Sequence, residues 1–351
     1  MGGSVSVRAI TMVKQACGST ARILAHIVVI PFMLAFALAC DTPKVAVKPA
    51  SALAPVAKRN PGPPNAPVVV ATFGKTDWAP PAEASIPKDS LGTSIRRGLA
   101  LLRYTSDSLP AFAPGRINCT NCHLQDGRAL YGAPLAGSHA RFPKYMPRSG
   151  AVITLADRVN YCFTRSLAGN RLPTDSREMA DILSYIAWLS KDVPIGAKLP
   201  GGDGLPAMKD TLVADAIRGG KLYGDKCQSC HQANGTGTAL VPALWGQTSY
   251  SVGASMARVE RAASFISHNM PYGQGGTLTA QESFDIAAYV NSHARPDSPG
   301  KEHDWPHGGV PKDVPYTTQS GHQAVNAPPL LPRKRPARTL VPAPPRAGAT
   351  H

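Results

Sequence analysis

The sequence of 351 residues predicts an all-α protein made of two tandem helical domains, with long extended segments at both ends. Two observations carry this prediction. The pentapeptide at residues 119–123 has a second copy of the same pattern at residues 227–231, and the polar pattern Glu-x-x-Asp-Ile-x-x-Tyr occurs at Glu178 and again at Glu282. Helical periodicity alone does not reproduce identical polar residues, so we interpret the repeat as a duplicated domain.

The first domain is predicted over residues 89–196, where apolar residues recur at helical spacing in three places. An opening helix with one apolar face is followed by a second helix around residues 155–163. A closing helix is predicted over residues 176–189, because Asp175 and Glu178 have the spacing of a capping box at its start.

The second domain, predicted over residues 197–296, repeats this order of helices. Its helices are predicted around residues 213–223, 256–267 and 279–292, and the last one begins with the capping pair Thr279 and Glu282. Each half of the chain therefore reads as one complete structural unit.

Glycines predict how the first and last helices of each domain meet. The sequence Ile-Arg-Arg-Gly ending at Gly98 aligns with Ile-Arg-Gly-Gly ending at Gly220. A glycine without Cβ lets another helix approach closely, so that Tyr185 or Tyr289 can pack against backbone. We therefore expect Gly98 and Gly220 to occupy equivalent helix crossings.

The N-terminal part of the chain is predicted to be an export signal and a linker. Residues 1–39 carry basic residues before an apolar run, which is typical of a signal peptide. Cys40 follows Ala-Leu-Ala, which resembles a lipoprotein cleavage box, so a lipid anchor at Cys40 and ordinary cleavage after Ala39 both remain open. Residues 40–88 are rich in Pro and Ala and are predicted to be an extended linker. We expect a periplasmic protein.

The C-terminal residues 297–351 are predicted to form a strap followed by a disordered basic tail. The stretches at residues 303–306 and 313–316 are the parts expected to return over the domains. Past about Gln323 the composition is rich in Pro, Arg and Ala, which is typical of disorder. The histidines of this region are interpreted as surface residues rather than ligands.

The repeated pentapeptide has the Cys-x-x-Cys-His pattern at which c-type haem is attached. Two thiols three residues apart can each form a thioether to one porphyrin, and the adjoining histidine can ligate the iron. A zinc site would need a second pair of ligands at zinc spacing, and no such pair follows either copy. Helices wrapped around one haem are similar to the class I cytochrome c fold. We predict two covalently bound haem c groups, held by Cys119, Cys122, His123, Cys227, Cys230 and His231.

The sixth iron ligand of the second domain is predicted to be Met270. It lies 39 residues after His231 and precedes a proline, just past a helix. A methionine thioether raises the reduction potential of haem iron. Met256 is a weaker alternative, because it falls at the start of that helix.

The first domain has two candidates for its sixth ligand. Met146 precedes a proline but comes only 23 residues after His123, whereas Cys162 lies 39 residues after it. Cys162 has no evident disulfide partner and could be a small buried apolar residue. Neighbouring positive charge favours the thiolate, however, which is the form that binds iron or attacks sulfur. The arginines near it in sequence are Arg148, Arg158, Arg165 and Arg171.

The net charge of +15 narrows the choice of partners. Nucleic acid is one partner of strongly basic proteins. Here Lys and Arg are scattered rather than gathered beside aromatic residues, so we expect no nucleic-acid binding. An anionic substrate or an acidic redox partner fits the charge better.

The sequence around Cys162 resembles the dihaem thiosulfate dehydrogenases, which form tetrathionate. The resemblance covers about residues 90–320 and rests on three stretches, residues 148–150, 155–166 and 267–273. It implies that thiosulfate is oxidised at the first haem, between His and Cys axial ligands, and that electrons leave through the second haem to a cytochrome or a high-potential iron protein. The site residues it implies are Cys162, Arg148, Arg158, Ser166 and, within the same signature, Arg165.

Alternative functions remain open at this level. A dihaem electron-transfer subunit with no substrate of its own would need only the two haems. A cysteine-ligated cytochrome of the SoxA type would join thiosulfate to a carrier protein instead of releasing tetrathionate. The family reaction can also run backwards as tetrathionate reduction, because its direction depends on potentials that a sequence does not give.

Overall fold

Helices form most of the regular structure in the computed structural model, which describes residues 67–201, 204–208 and 212–333. The α-helices are α1 (Ser90–Arg103), α2 (Thr105–Ser108), α3 (Leu124–Gly127), α4 (Leu155–Tyr161), α5 (Arg177–Leu189), α6 (Ala216–Lys226), α7 (Gln228–His231), α8 (Val259–Asn269) and α9 (Ala280–Ser292). Short 3₁₀ turns cover Glu83–Ser85, Cys119–Asn121, His139–Arg141, Ser255–Ala257 and Lys301–His303, and a π-helical turn covers Cys162–Ser166.

The strands are two or three residues long and form three small ladders. Strands β1 (Ala71–Phe73) and β2 (Thr76–Trp78) pair antiparallel, as do β3 (Lys144–Met146) and β4 (Ala151–Ile153), while β5 (Arg295–Pro296) and β6 (Leu330–Leu331) pair in parallel. Short isolated ladders of this kind cannot form a core of their own. The apolar core lies between the helices.

In the first domain, α1 crosses α5 at Gly98. A Cβ atom at this position would lie 2.0 Å from the carbonyl oxygen of Asp181 and 2.9 Å from Cβ of Tyr185. Beside the crossing, the Arg97 guanidinium donates two hydrogen bonds of 2.6 Å to the Asp181 carboxylate. The close crossing that the sequence predicts at Gly98 is confirmed.

In the second domain, the equivalent crossing of α6 and α9 lies at Gly219. A Cβ atom there would lie 1.9 Å from the carbonyl oxygen of Asp285, whose carboxylate accepts hydrogen bonds from Arg218. The predicted equivalence of Gly98 and Gly220 is therefore wrong by one residue, although Tyr289 does pack against Gly220, where a Cβ atom would lie 3.0 Å from its ring. The error arose because the alignment matched the isoleucines and the terminal glycines, whereas the structure matches the Arg-Gly pair at the crossing.

Two of the predicted helix starts differ in how they are capped. The Thr279 and Glu282 capping box is present, with reciprocal side-chain to backbone hydrogen bonds. Helix α5 is instead capped by the Ser176 hydroxyl, which accepts the Met179 N–H at 3.2 Å. The predicted capping role of Asp175 is wrong, because the serine directly before the helix takes that position.

The last part of the predicted linker over residues 40–88 is folded against the first domain. Val69 is fully buried, and its N–H donates to the Arg128 carbonyl at 2.9 Å. The indole N–H of Trp78 donates to the Lys191 carbonyl at 2.7 Å. The prediction of an extended linker is wrong for this part, because its apolar side chains join the core of the first domain.

Residues 297–333, here called the strap, return over both domains. Trp305 and Tyr316 are buried in an apolar cluster with Val252 and Val314. The predicted disorder past Gln323 is wrong up to residue 333, since β6 pairs with β5 and the Pro332 carbonyl accepts a hydrogen bond from Gln247.

The predicted signal peptide, Cys40 and the end of the basic tail lie outside the described residues. Among the residues that are described, no helix has both the length and the apolar character needed to cross a membrane.

Candidate active site

The two Cys-x-x-Cys-His loops share the same pair of backbone hydrogen bonds. The carbonyl of Cys119 accepts the N–H of Cys122 at 3.2 Å and that of His123 at 2.9 Å. The carbonyl of Cys227 accepts the corresponding N–H groups of Cys230 and His231 at the same two distances. The repeat in the sequence is therefore also a repeat in structure.

Each loop histidine is oriented by a backbone carbonyl. Nδ1 of His123 lies 2.5 Å from the Ala133 oxygen, and Nδ1 of His231 lies 3.1 Å from the Pro242 oxygen. A proton on Nδ1 in this bond leaves the lone pair of Nε2 for a metal. Burial lowers the pKa of His231, which favours the neutral ring that ligates iron. Both loops therefore fit an iron-bound haem c.

A cleft in the first domain brings the haem-attachment residues together with Cys162 and Ser166. It holds about 550 Å³ of empty space, part of it open to solvent. Apolar side chains from α1, α5 and the π-helical turn form much of its wall, which suits the faces of a porphyrin. Cys119, Cys122 and His123 lie along the same cleft, whereas Met146 does not line it.

Cys162 is the first residue of the π-helical turn that follows α4. Arg158 lies four residues earlier, one helical turn away, and its Nη1 donates to Sγ of Cys162 at 3.2 Å. Burial raises the pKa of the Cys162 thiol, but the nearby Arg158 and His123 more than offset this and lower it to about 6. These neighbours favour the thiolate, the form required of a ligand or nucleophile.

The other two arginines of the predicted site converge on a carboxylate of the strap. Nε of Arg148 donates to Oδ2 of Asp304 at 2.9 Å, and Nη2 of Arg165 donates to Oδ1. The Tyr316 hydroxyl accepts from Arg148 and donates to Asp304 at 2.7 Å. The pKa of Arg165 is lowered by burial and by the neighbouring charge of Arg148. Arg165 also lies over the ring of Tyr161 at 4.3 Å.

Sequence reasoning missed Asp304 and Tyr316 as parts of this cluster. They lie more than a hundred residues after the arginines that they contact, and no local spacing links them. The signal that was available is a short stretch, Asp-Trp-Pro, in which an acid stands beside an aromatic residue after the last predicted helix.

Arg171 does not belong to the Cys162 environment. Its guanidinium forms a 2.9 Å ion pair with Asp157, and about half of its side chain is exposed. Of the four arginines that are near Cys162 in sequence, Arg158 is the one that contacts its sulfur in the described structure.

In the second domain, Cys227 packs against an apolar cluster that includes Tyr223 and Trp245, whereas Cys230 is exposed. Met270 follows the end of α8 and packs against an apolar cluster that includes Leu124, the residue after His123, and Phe265 of α8. Met256 lies in a 3₁₀ turn and packs against several apolar clusters of the core.

Comparison with known proteins agrees with both halves of the chain. Residues 112–195 match the family model described as SoxA/TsdA, cytochrome c domain, and residues 216–294 match the model described as Cytochrome c. The prediction of two cytochrome c domains in tandem, in a helix-dominated fold, is confirmed.

Several curated relatives are thiosulfate dehydrogenases. The protein of Psychrobacter arcticus is 41% identical over 259 residues, which cover 70% of this chain and 79% of the relative. The protein of Allochromatium vinosum is 40% identical over 226 residues, covering 62% and 83% respectively. The solved thiosulfate dehydrogenase (TsdBA) of Marichromatium purpuratum, in its as-isolated form, is 33% identical with a TM-score of 0.61. That match covers 64% of this chain and half of the solved chain.

Proposed function

We propose, from the premise that this chain belongs to the thiosulfate dehydrogenase family, that it joins two thiosulfate dianions into tetrathionate at Cys162. The chain is an oxidoreductase of the thiosulfate-oxidising cytochrome type. One observation carries the finer assignment. The sulfur of Cys162 lies in the cleft that holds the first haem-attachment loop, and it accepts a hydrogen bond from Arg158.

The cytochrome c domains bind haem c, and we assign one haem to each Cys-x-x-Cys-His loop. His123 and Cys162 would hold the first haem, and His231 and Met270 the second. The absence of Met146 from the cleft wall supports Cys162 as the sixth ligand. Bound haem supplies a one-electron acceptor in each domain, so two haems match the two electrons that the reaction releases.

The chemistry at Cys162 is a balanced pair of steps. The Cys162 thiolate and the terminal sulfur of a first thiosulfate form an S–S bond and give up two electrons, one for each haem to accept, which leaves Sγ of Cys162 bonded to an S–SO₃⁻ group. A second thiosulfate attacks the sulfur that is bonded to Sγ, so the bond between that sulfur and Sγ breaks, tetrathionate leaves and the thiolate is restored. No proton is gained or lost in either step.

Arg158 supports both steps through its charge. Its guanidinium stabilises the thiolate at 3.2 Å, and the same fork of N–H donors can bind the sulfonate oxygens of an approaching thiosulfate. Two dianions repel each other, so concentrated positive charge lowers the cost of bringing them together. Ser166 lies in the same cleft and offers a further hydroxyl donor.

Electrons would leave from the second domain to a cytochrome or a high-potential iron protein. The exposure of Cys230, compared with the more buried thiols of the first loop, supports an exit at the second haem. We further propose that the protein works in the periplasm, where c-type haem is attached, with lipid anchoring at Cys40 as a part of that proposal.

The test is turnover of thiosulfate by Cys162→Gly and Cys162→Met, with the haem content of each variant measured. We expect both haems to remain attached and tetrathionate formation to be abolished. Met146→Leu is the matched control and should keep wild-type activity. Full activity in either Cys162 variant would refute the assignment.

A dihaem electron carrier without a substrate is the competing function. It gives no reason for a thiolate held by Arg158 in the haem cleft. Thiosulfate alone should convert the oxidised haem spectrum of the purified protein to the reduced one, whereas a carrier would be reduced only through a separate dehydrogenase. Running the assay with tetrathionate and a strong reductant tests the reverse direction.

A further inference from the structure

The strap lies beyond both of the matched family segments, which end at residues 195 and 294, yet it is built into the first domain. The Trp305 N–H donates to the Arg148 carbonyl at 2.8 Å, and the Arg148 guanidinium lies 4.9 Å from the centre of the Trp305 ring. Gly150 has a φ of +63°, and a Cβ atom there would lie 2.5 Å from the Pro306 ring. The turn between β3 and β4 is therefore shaped to receive the strap.

Asp304 lies at the centre of this contact and is only 4% exposed. Each of its two carboxylate oxygens accepts from a different arginine, Arg148 or Arg165. A buried carboxylate placed in this way offsets the repulsion between two guanidinium groups that would otherwise separate. Asp304 therefore fixes the distance between the two arginines.

The two arginines keep donors that Asp304 does not use. Within the described part of the chain, Nη1 of Arg148 and both Nε and Nη1 of Arg165 have no hydrogen-bond acceptor, and neither side chain is fully buried. Two guanidiniums and one carboxylate leave one net positive charge. Fork-shaped donors with a net positive charge suit a tetrahedral sulfur oxyanion.

We propose that Asp304 is a positioning residue, which holds Arg148 and Arg165 side by side so that their remaining N–H groups bind the sulfonate group of a thiosulfate. The strap is then a part of the substrate site rather than a tail. This inference rests on the proposed function, and it assigns to the arginine pair one of the two dianions that the reaction must bring together.

The test compares Asp304→Asn with Asp313→Asn. Asp313 is a matched control, because it also lies in the strap, has a side chain that is only 15% exposed and pairs with an arginine, Arg258, at 2.6 Å. Asp304→Asn should raise the KM for thiosulfate at least tenfold while kcat changes less than threefold, since an anion site used throughout the reaction affects binding more than turnover. Asp313→Asn should leave both constants within twofold.

The same substitution made in a second variant distinguishes a positioning role of Asp304 from a general effect on protein stability. In an Arg165→Gln protein, Asp304→Asn should no longer raise KM by the same factor, because the residue through which it acts is gone. If Asp304→Asn fails to fold, Tyr316→Phe replaces it as the test variant. Tyr316→Phe keeps the buried ring and loses the hydroxyl that contacts Arg148 and Asp304, so it should raise KM by a smaller factor. Equal losses of thermal stability and kcat in the Asp304 and Asp313 variants, with KM unchanged, would overturn the inference.

Sulfate binding tests the same site without turnover. Calorimetric titration of the oxidised haem-loaded protein with sulfate, an unreactive tetrahedral dianion, should show affinity at least tenfold weaker in Asp304→Asn and unchanged in Asp313→Asn. Sulfate affinity that is equal in wild type and Asp304→Asn would refute the positioning role. A protein that binds sulfate in this way but does not oxidise thiosulfate would refute the proposed function alone.

Discussion

The crossing of α6 and α9 makes a sharp prediction about stability. Gly219 lies where a Cβ atom would be 1.9 Å from the Asp285 carbonyl oxygen, whereas in the same helix Gly224 has only one atom, of the Gln228 side chain, within 4.0 Å. The two helices would have to separate by roughly 1–2 Å to restore an ordinary contact of about 3.5 Å. Overpacking of this kind costs about 1–3 kcal/mol, and a backbone obstacle puts the cost at the upper end.

The helix preference for alanine acts in the opposite direction. Gly→Ala in a helix interior gains about 1 kcal/mol where nothing obstructs the new methyl group. Gly219→Ala should therefore lower the free energy of unfolding by about 2 kcal/mol net, and Gly224→Ala should raise it by up to about 1 kcal/mol. The assay is thermal unfolding of the haem-loaded proteins, where about 1 kcal/mol shifts Tm by roughly 2–4 °C in a protein of this size. Equal Tm values for the two variants would refute the close crossing at Gly219.

Two further predictions concern charge. Arg158→Gln should lower kcat/KM for thiosulfate by about 100-fold, as loss of one charged donor at a reacting group commonly does, while Arg171→Gln, at a surface ion pair, should stay within twofold. The pKa of Asp285 is held below its usual 3.8, because Arg218 and other donors outweigh the effect of burial. A depressed pKa contributes stability above the unfolded-state pKa and loses it as pH falls through the folded one. Unfolding measured from pH 7 to pH 3 should therefore show Asp285→Asn less stable than wild type at pH 7, with the difference shrinking below about pH 4, and a difference independent of pH would contradict this.

The features that are local in sequence could be predicted. Each Cys-x-x-Cys-His loop can be recognised from five consecutive residues. A helix such as α9 is predicted by its apolar spacing and by the capping pair at Thr279 and Glu282. The crossing at Gly98 could also be predicted, but its partner was placed at Gly220 instead of Gly219. A shift of one residue along a helix changes the side that a glycine faces. Which glycine lies at the crossing is decided by the contact with Asp285 on α9, which the local sequence of α6 does not show.

The return of residues 303–306 and 313–316 over the domains was also expected, but which residues they and the segment before α1 contact could not be predicted. Trp78 and Val69 stand in a segment whose Pro-rich composition indicates a linker, and their burial depends on the surface that the first domain presents to them. Asp304 is one acid in a basic chain until the strap folds back onto Arg148 and Arg165. Sequence proximity placed four arginines around Cys162, and the structure puts Arg158 on the sulfur and two others on Asp304.

Low-temperature EPR of the oxidised protein tests most directly whether Cys162 is the ligand and reaction centre of the first domain. Thiolate-ligated and methionine-ligated low-spin haem iron give different signals, so the two domains can be distinguished in one spectrum. We predict both signals in wild type and, in Cys162→Gly, loss of the thiolate signal with the methionine signal intact, together with loss of haem reduction by thiosulfate. A spectrum that is the same in wild type and Cys162→Gly would contradict the account.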